Sequence, residues 1–186
     1  MNATSQGGAA SPETVLAFWR EAGPDHWFER DDAFDADIRE KFLPTYEAAA
    51  AGRLEAWEAT AEGTLALVIV LDQFPRNMFR GTARCYAADS QARAVAHRAL
   101  KRGCDQDVAD DMRGFFFLPF LHSEDPVDQD RAVELYRAAD DENLKYAEQH
   151  RDIIRRFGRF PHRNPILGRQ TTPAEQTFLD EGGFKG

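Results

Sequence analysis

The chain has 186 residues, of which 42% are hydrophobic and 14 are Phe, so it contains enough apolar material for a folded core. Its 23 Lys and Arg residues against 32 Asp and Glu residues give a formal net charge of −9. This balance argues against general nucleic-acid binding and against binding to anionic membrane surfaces. The longest apolar runs, at 65–71 and 115–121, are far too short to span a bilayer.

The N-terminal segment has no apolar stretch of the kind found in signal peptides, and residues 1–10 are expected to form a disordered tail. Cys85 and Cys104 have no spacing typical of a metal or redox motif, which favours two buried thiols in a reducing compartment. The sequence therefore predicts a single cytoplasmic domain over residues 1–186, with no membrane-spanning segment.

Capped segments with a helical period follow one another from residue 11. Ser11, Pro12 and Glu13 are typical of a helix start, and the Gly-Pro pair at 23–24 predicts its end. A second helix is predicted over 31–52, because its apolar residues recur at intervals of four. These residues are Phe34, Ile38, Phe42 and Tyr46.

The middle and the end of the chain continue this pattern. Residues 54–74 are predicted as a buried helix rather than a strand, because no hairpin turn flanks their apolar run. The further segments are, in chain order, helices over 89–102, over 107–122 with a bend at Pro119, from 126 onward and over 142–157, an irregular segment over 158–170, and a short helix that begins with a capping box at Thr172.

Eight helical segments and no convincing strand are therefore predicted, which indicates an all-α fold. Short connections make successive helices antiparallel neighbours, so we expect a stack of helical hairpins. No repeat with the 34-residue period of tetratricopeptide proteins is visible.

Polar residues occur where the helical pattern predicts core. Asp72 and Arg76 extend the apolar stripe of the third helix, and Pro75 between them removes one backbone donor. Asn77 and Arg80 follow this proline, where backbone groups also lack helical partners. A buried ion pair between Asp72 and an arginine explains this pattern as well as a binding site does.

Two histidines stand out in the second half of the chain. His122 ends an apolar run and directly precedes Ser123 and Glu124, so it could cap a helix or act as a proton donor or acceptor beside a pocket. His150 lies on an apolar stripe, where a hydrogen-bonded core histidine is the favoured interpretation.

Arginines are concentrated between residues 151 and 169, where six of them accompany one aspartate. This segment carries a charge of +5 in a chain whose remainder carries −14. Its glycines and prolines indicate a shaped loop rather than a helix face. Because arginine binds carboxylates and phosphates in a planar, bidentate geometry, the loop either pairs with the chain's own acids or holds an external anion.

Three motifs, DQFPRNMFRG (72–81), FLPFLHSED (117–125) and RFGRFPHRNPILGR (156–169), together resemble the bacterial domain-of-unknown-function family 924. The likeness covers nearly the whole chain, from residue 15 to the FLDEGGF segment near its end. The resemblance implies an all-α superhelix similar to tetratricopeptide-repeat proteins, without their sequence repeat, in which the three motifs lie together. It implies no activity.

We expect these motifs to form one polar, partly buried cluster beside a groove. The predicted ligand contacts are Asp72, Arg76, Asn77, Arg80, His122, Glu124, Arg159, His162, Arg163, Asn164 and Arg169. The favoured hypothesis is a binding module for an anionic small molecule or an acidic peptide. One alternative is a small enzyme with His122, His162 or Glu124 as general acid or base and arginines stabilising an anion. The other is a purely structural cluster.

No cofactor, metal or nucleic-acid partner is expected. The sequence has no HExxH or CxxC metal motif, no Walker loop, no nucleophile elbow and no dinucleotide fingerprint. Phe157 and Phe160 could stack on RNA bases, but the surrounding acidity argues against this. Among the histidines, at least one is expected to pair with a carboxylate, which would raise its pKa.

Overall fold

The computed structural model describes residues 8–184, and helices make up all of the regular secondary structure in this range. No β-strand occurs in it, so the predicted all-α fold class is confirmed. Its ten α-helices are α1 (Pro12–Ala22), α2 (Pro24–Trp27), α3 (Asp32–Ala50), α4 (Ala61–Met78), α5 (Asp89–Arg102), α6 (Asp110–Arg113), α7 (Leu118–Leu121), α8 (Pro126–Ala138), α9 (Leu144–Phe157) and α10 (Pro173–Asp180). Short 3-10 helices lie at Glu55–Ala59, Ala83–Tyr86, Cys104–Gln106, Gly114–Phe116 and Pro161–Arg163.

The helix ends follow local signals in the sequence. Ser11 and Asp31 accept hydrogen bonds from first-turn N–H groups of α1 and α3. Thr172 and Glu175 form the predicted capping box at the start of α10. Gly158 ends α9 in the left-handed conformation, with φ of 70°, which a residue with a side chain rarely adopts.

Two predicted helices have other boundaries in the structure. The helix predicted over 54–74 covers Ala61–Met78 instead, because the Thr60 side chain caps it by accepting from the Gly63 N–H. Pro75 lies within the last turn of this helix and does not end it. The bent helix predicted over 107–122 is divided into α6, a 3-10 turn and α7.

Backbone contacts group the described residues into two compact units. The first unit contains the residues up to Arg80 and also Arg84–Pro119, and the second contains Gly81–Ala83 and the residues from Phe120 onward. Each unit holds part of the predicted ligand contacts.

Helix α4 is the centre of the first unit and packs against α1, α3 and α5. Asp35, in the first turn of α3, accepts a hydrogen bond from Asn77 in the last turn of α4, so these helices are antiparallel. Arg102 at the end of α5 donates to Thr64 near the start of α4, which makes this pair antiparallel as well. Every residue of the apolar run at 65–71 is buried, which confirms the predicted buried helix.

The second unit is built on a hairpin of α8 and α9. Arg155 near the end of α9 donates to Asp130 near the start of α8, so the two helices run antiparallel. A small core of Ile153, Ile154 and Phe160 is covered by partly buried phenylalanines: Phe157, Phe178 and Phe184. The predicted helical hairpins are therefore present within each unit, and their arrangement as a superhelix stays a prediction.

None of the helices in the described range is both long enough and apolar enough to cross a lipid bilayer. Both cysteines are buried, as predicted. Residues 1–7, most of the predicted tail, lie outside the described residues. Ala10 is held in place, because its N–H donates to the Thr45 hydroxyl at 2.9 Å.

Candidate functional site

The predicted ligand contacts divide between the two units. Those of the first unit lie at or just after the C-terminal end of α4: Asp72, Arg76, Asn77 and Arg80. Those of the second unit lie between α7 and α10: His122, Glu124, Arg159, His162, Arg163, Asn164 and Arg169.

Arg76 is the centre of the group in the first unit. Its guanidinium donates to both carboxylate oxygens of Asp89, at 3.0 and 3.1 Å, and to the Asp72 carbonyl oxygen at 2.6 Å. The buried carboxylate of Asp72 lies 3.6 Å from the same guanidinium. Burial alone would lower the pKa of Arg76, but these two carboxylates raise it above its usual value. The group is therefore an ionic triad in which Asp72 is buried and Arg76 and Asp89 are partly exposed.

Asp35 binds the other two predicted contacts of the first unit. It accepts from the Asn77 side chain at 2.8 Å and from two nitrogens of Arg80 at 2.7 and 3.0 Å. The hydrogen bonds to Asp35 raise the pKa of Arg80. The polar groups after the apolar part of α4 thus join this helix to α3 and α5.

In the second unit, Glu124 connects the FLPFLHSED motif to the arginine-rich loop. Its carboxylate accepts from the Phe160 N–H at 2.8 Å and from two nitrogens of Arg169 at 2.7 and 3.0 Å. Burial alone would raise the pKa of Glu124, but these hydrogen bonds lower it. Glu124 is therefore an ionised acceptor of hydrogen bonds at neutral pH.

Glu175 binds a second part of the loop and was not among the predicted contacts. Its carboxylate accepts from Arg159 at 2.6 and 2.9 Å, from Asn164 at 3.2 Å and from the Thr172 N–H at 2.7 Å. The hydrogen bonds from Arg159 are the main reason that the pKa of Glu175 is lowered to about 2. In the sequence, Glu175 was visible only as the acid of the capping box.

The turn around His122 is held from two sides. Arg163 donates to the His122 carbonyl oxygen at 2.9 Å, so the second and third motifs lie together, as the sequence predicted. Gln129 donates to the carbonyl oxygens of Leu121 and Ser123 at 2.7 and 2.6 Å. Gln129 was also missed, although an amide on the buried stripe of α8 is a signal that the sequence contains.

We expect Glu124→Ala to lower the free energy of unfolding by roughly 2 kcal/mol, because a backbone N–H and an arginine lose a charged acceptor. Chemical denaturation at pH 7 measures this loss. Glu148→Ala is the matched control, since Glu148 forms an exposed ion pair with Arg137 and its removal should cost less than about 1 kcal/mol. Equal losses in the two variants would show that Glu124 is an ordinary surface acid.

Two histidines of the second unit are neutral at pH 7. His150 Nδ1 lies 2.8 Å from the Tyr146 carbonyl oxygen, and since a carbonyl only accepts, Nδ1 carries the proton and Nε2 is an acceptor. Burial is the main cause that lowers the pKa of His150 to about 4. Burial, followed by the charge of Arg163, lowers the pKa of His162 to about 3. The pKa is lowered in both because of burial, so the expected raised histidine pKa is not found at either of them.

These two imidazoles pack against two phenyl rings. The Phe184 ring centroid lies 4.4 Å from that of His150 and 5.2 Å from that of His162. Phe160 contacts the same two imidazoles at 5.5 and 5.7 Å. We refer to His150, Phe160, His162 and Phe184 as the histidine–aromatic cluster. Arg163 borders it, because its guanidinium lies 4.6 Å from the Phe160 ring centroid.

The His162 imidazole has a particular feature within this cluster. Its Nδ1 is buried and has no hydrogen-bond partner among the described residues. Buried polar atoms in proteins are almost always hydrogen-bonded, so this nitrogen requires a partner that the described residues do not supply, such as a water or a ligand atom.

Open grooves occur on the surface of the described residues. One, of about 540 Å³, lies in the first unit along residues 25–33, and another, of about 430 Å³, lies between α9 and α10 in the second unit. None of the predicted ligand contacts lines either of them. Within residues 8–184, no three His, Cys, Asp or Glu side chains are arranged to hold a metal ion.

The chain is similar to a solved structure of a protein of unknown function from Agrobacterium tumefaciens. The two sequences are 51% identical, the match covers 92% of this chain and 97% of the other, and the TM-score is 0.90. No curated protein matches this chain in sequence. The model of a family described as "Bacterial protein of unknown function (DUF924)" matches residues 15–183. The chain therefore belongs to this family, the one that its three motifs resemble.

Proposed function

We propose that this protein is a cytoplasmic binding protein for an anionic small molecule, which contacts the histidine–aromatic cluster and Arg163. The observation that carries the proposal is the buried Nδ1 of His162, which has no hydrogen-bond partner among the described residues. A ligand oxygen at this nitrogen would complete the hydrogen bonding of the cluster.

The charges around His162 favour an anion. Arg163 and Arg169 both act to lower the pKa of His162, and the opposing effect of Glu124 is smaller than that of Arg163. This charge effect is smaller than that of burial, but its direction indicates a positive electrostatic potential at the imidazole. A positive potential in a partly desolvated site attracts an anionic ligand.

A small molecule fits this site better than an acidic peptide does. An extended acidic peptide needs several unpaired arginines on the surface. Arg159 and Arg169 are bound to Glu175 and Glu124, so a peptide would have to displace internal carboxylates. The same holds for Arg80 in the first unit, which is bound to Asp35.

An enzyme that uses these histidines as general acid or base is less well supported. Such a group works best when its pKa lies near the working pH. With pKa values lowered to about 4 and about 3, His150 and His162 are weak bases and are not protonated at neutral pH. Glu124, whose pKa is lowered, has no proton to donate there.

The proposal is tested by titrating the protein with acetate and with inorganic phosphate while the histidine ring signals are followed by NMR. We expect one of these anions to shift the His162 signals and to raise the His162 pKa, because a bound anion stabilises the imidazolium. His162→Ala should abolish the accompanying shift of the His150 ring signals, and His97→Ala, at an exposed histidine of α5, should leave the response unchanged. The absence of any response with a Kd below about 10 mM, or an equal shift of the His150 signals in His162→Ala, would contradict the proposal.

A further inference from the structure

We infer that the anionic ligand is an aromatic carboxylate, whose ring takes the place that Phe184 occupies in the histidine–aromatic cluster. This inference rests on the proposed function and adds the chemical class of the ligand. In the absence of ligand, Phe184 occupies the ring site, and the ligand displaces it.

The contacts of Phe184 are those expected for a bound aromatic ring. Its ring is tilted by 60° to that of His150 and stands at 84° to that of His162, which is an edge-to-face arrangement. Phe160 forms the third wall, at 6.4 Å between ring centroids. Phe160 is fully buried, whereas Phe184 is only partly buried and covers the cluster from outside.

Two consecutive glycines precede Phe184. Gly182 has φ of 85°, and Gly183 approaches α10 so closely that an added Cβ would lie 2.4 Å from the Phe178 carbonyl oxygen. The Gly183 N–H donates to the Phe178 carbonyl oxygen at 2.9 Å, which fixes this approach. The position of Phe184 therefore depends on a close approach that only glycine permits at residue 183.

Phe184 fills the space for a ring but offers no polar group to His162. The Nδ1 of His162 stays without a hydrogen-bond partner among the described residues although the phenyl ring is in place. A ligand that carries both a ring and a carboxylate would satisfy both parts of the site, with Arg163 beside it. A monovalent carboxylate also loses less hydration energy on burial than a doubly charged phosphate does.

The experiment uses the full chain with Phe184→Ala and three probes of similar size: 3-phenylpropionate, hexanoate and 3-phenylpropanol. Binding is measured by NMR on the histidine rings. We expect Phe184→Ala to bind 3-phenylpropionate about ten-fold more tightly than the unchanged chain, because the competing side chain is gone. The other two probes, which lack the ring or the charge, should bind Phe184→Ala at least about ten-fold more weakly than 3-phenylpropionate does.

Each of the other outcomes contradicts a specific part of the two proposals. Equal binding of hexanoate and 3-phenylpropionate contradicts the ring site and leaves anion binding intact. Equal binding of 3-phenylpropanol contradicts the proposed anion function and, with it, the aromatic carboxylate. No binding of any probe with a Kd below about 10 mM overturns both proposals.

Two further variants separate ligand competition from general loosening of the core. Phe178→Ala is the matched control, because Phe178 covers the same small core but contacts Phe157 rather than the histidines. It should not change the affinity for 3-phenylpropionate, and a gain equal to that of Phe184→Ala would contradict the inference. Gly183→Ala displaces Phe184 while keeping its ring, so it should also tighten binding. An unchanged affinity in Gly183→Ala would equally count against the inference.

Discussion

Arg76→Leu is expected to lower the free energy of unfolding by about 4 kcal/mol, because it removes the cation between buried Asp72 and partly exposed Asp89. Asp72, which is 1% exposed, and Asp89 then remain without the guanidinium that lies between them. Removing one partner of an ion pair inside a protein costs more than the pair itself contributes, because the charge that remains is less well compensated. Urea denaturation at pH 7, followed by circular dichroism, measures the change.

Arg80→Leu is the matched control for this effect. Arg80 also pairs with an aspartate through two hydrogen bonds, but its side chain is 37% exposed, so its loss should cost only about 1 kcal/mol. Adding Asp72→Asn to Arg76→Leu should recover part of the stability, because it removes one of the two carboxylate charges that Arg76 neutralises. Equal losses of stability in Arg76→Leu and Arg80→Leu would contradict the prediction that the triad is the more important ion pair. A double variant less stable than Arg76→Leu would contradict it as well.

The fold class was predictable because its signals are local. The caps at Ser11, Asp31 and Thr172 all lie within one helical turn of the groups they bind, so the sequence contains both partners side by side. The 3-10 pieces around 55–59 and 114–116 were not predictable. Their conformation is set by packing against α4, which a single stretch of sequence does not contain.

The pairing of the arginine-rich loop was left open for a different reason. The sequence offers 32 acidic residues, and nothing local chooses among them. Arg169 binds Glu124, which lies 45 positions earlier, and Arg159 binds Glu175, which lies 16 positions later. The hypothesis that the loop pairs with the chain's own acids therefore describes these two arginines. The juxtaposition of the first motif with the other two stays a prediction.

The histidines show most clearly what a sequence lacks. The expectation of a raised pKa considered only the charged neighbours, and the sequence could not show how deeply His150 and His162 are buried. Their burial is the largest cause of both pKa shifts. Phe184, which covers them, belongs to a segment that the sequence marked only by its glycines.

Lowering the pH from 7 to 5 is expected to reduce the free energy of unfolding by about 3 kcal/mol through His150 and His162 together. Their pKa in the unfolded chain is the ordinary 6.5, and in the folded chain it is lowered to about 4 and about 3. Between these values the unfolded chain binds protons that the folded chain does not. The stability that comes from keeping both imidazoles neutral is therefore complete above pH 6.5 and is lost as the pH falls below it.

This window separates the histidines from the carboxylates. The pKa of Glu124 and of Glu175 is the ordinary 4.5 in the unfolded chain and is lowered in the folded chain, so the stability they contribute is lost mainly below pH 5. His162→Leu should halve the loss of unfolding free energy between pH 7 and 5, because it removes one of the two histidines whose pKa is lowered on folding. His97→Gln, at an exposed position, should leave the loss unchanged. A native protein equally stable at pH 7 and 5 would mean that protonation of the two imidazoles costs nothing. Water would then have easy access to the histidine–aromatic cluster. This would contradict the proposed anion site, which requires a partly desolvated environment.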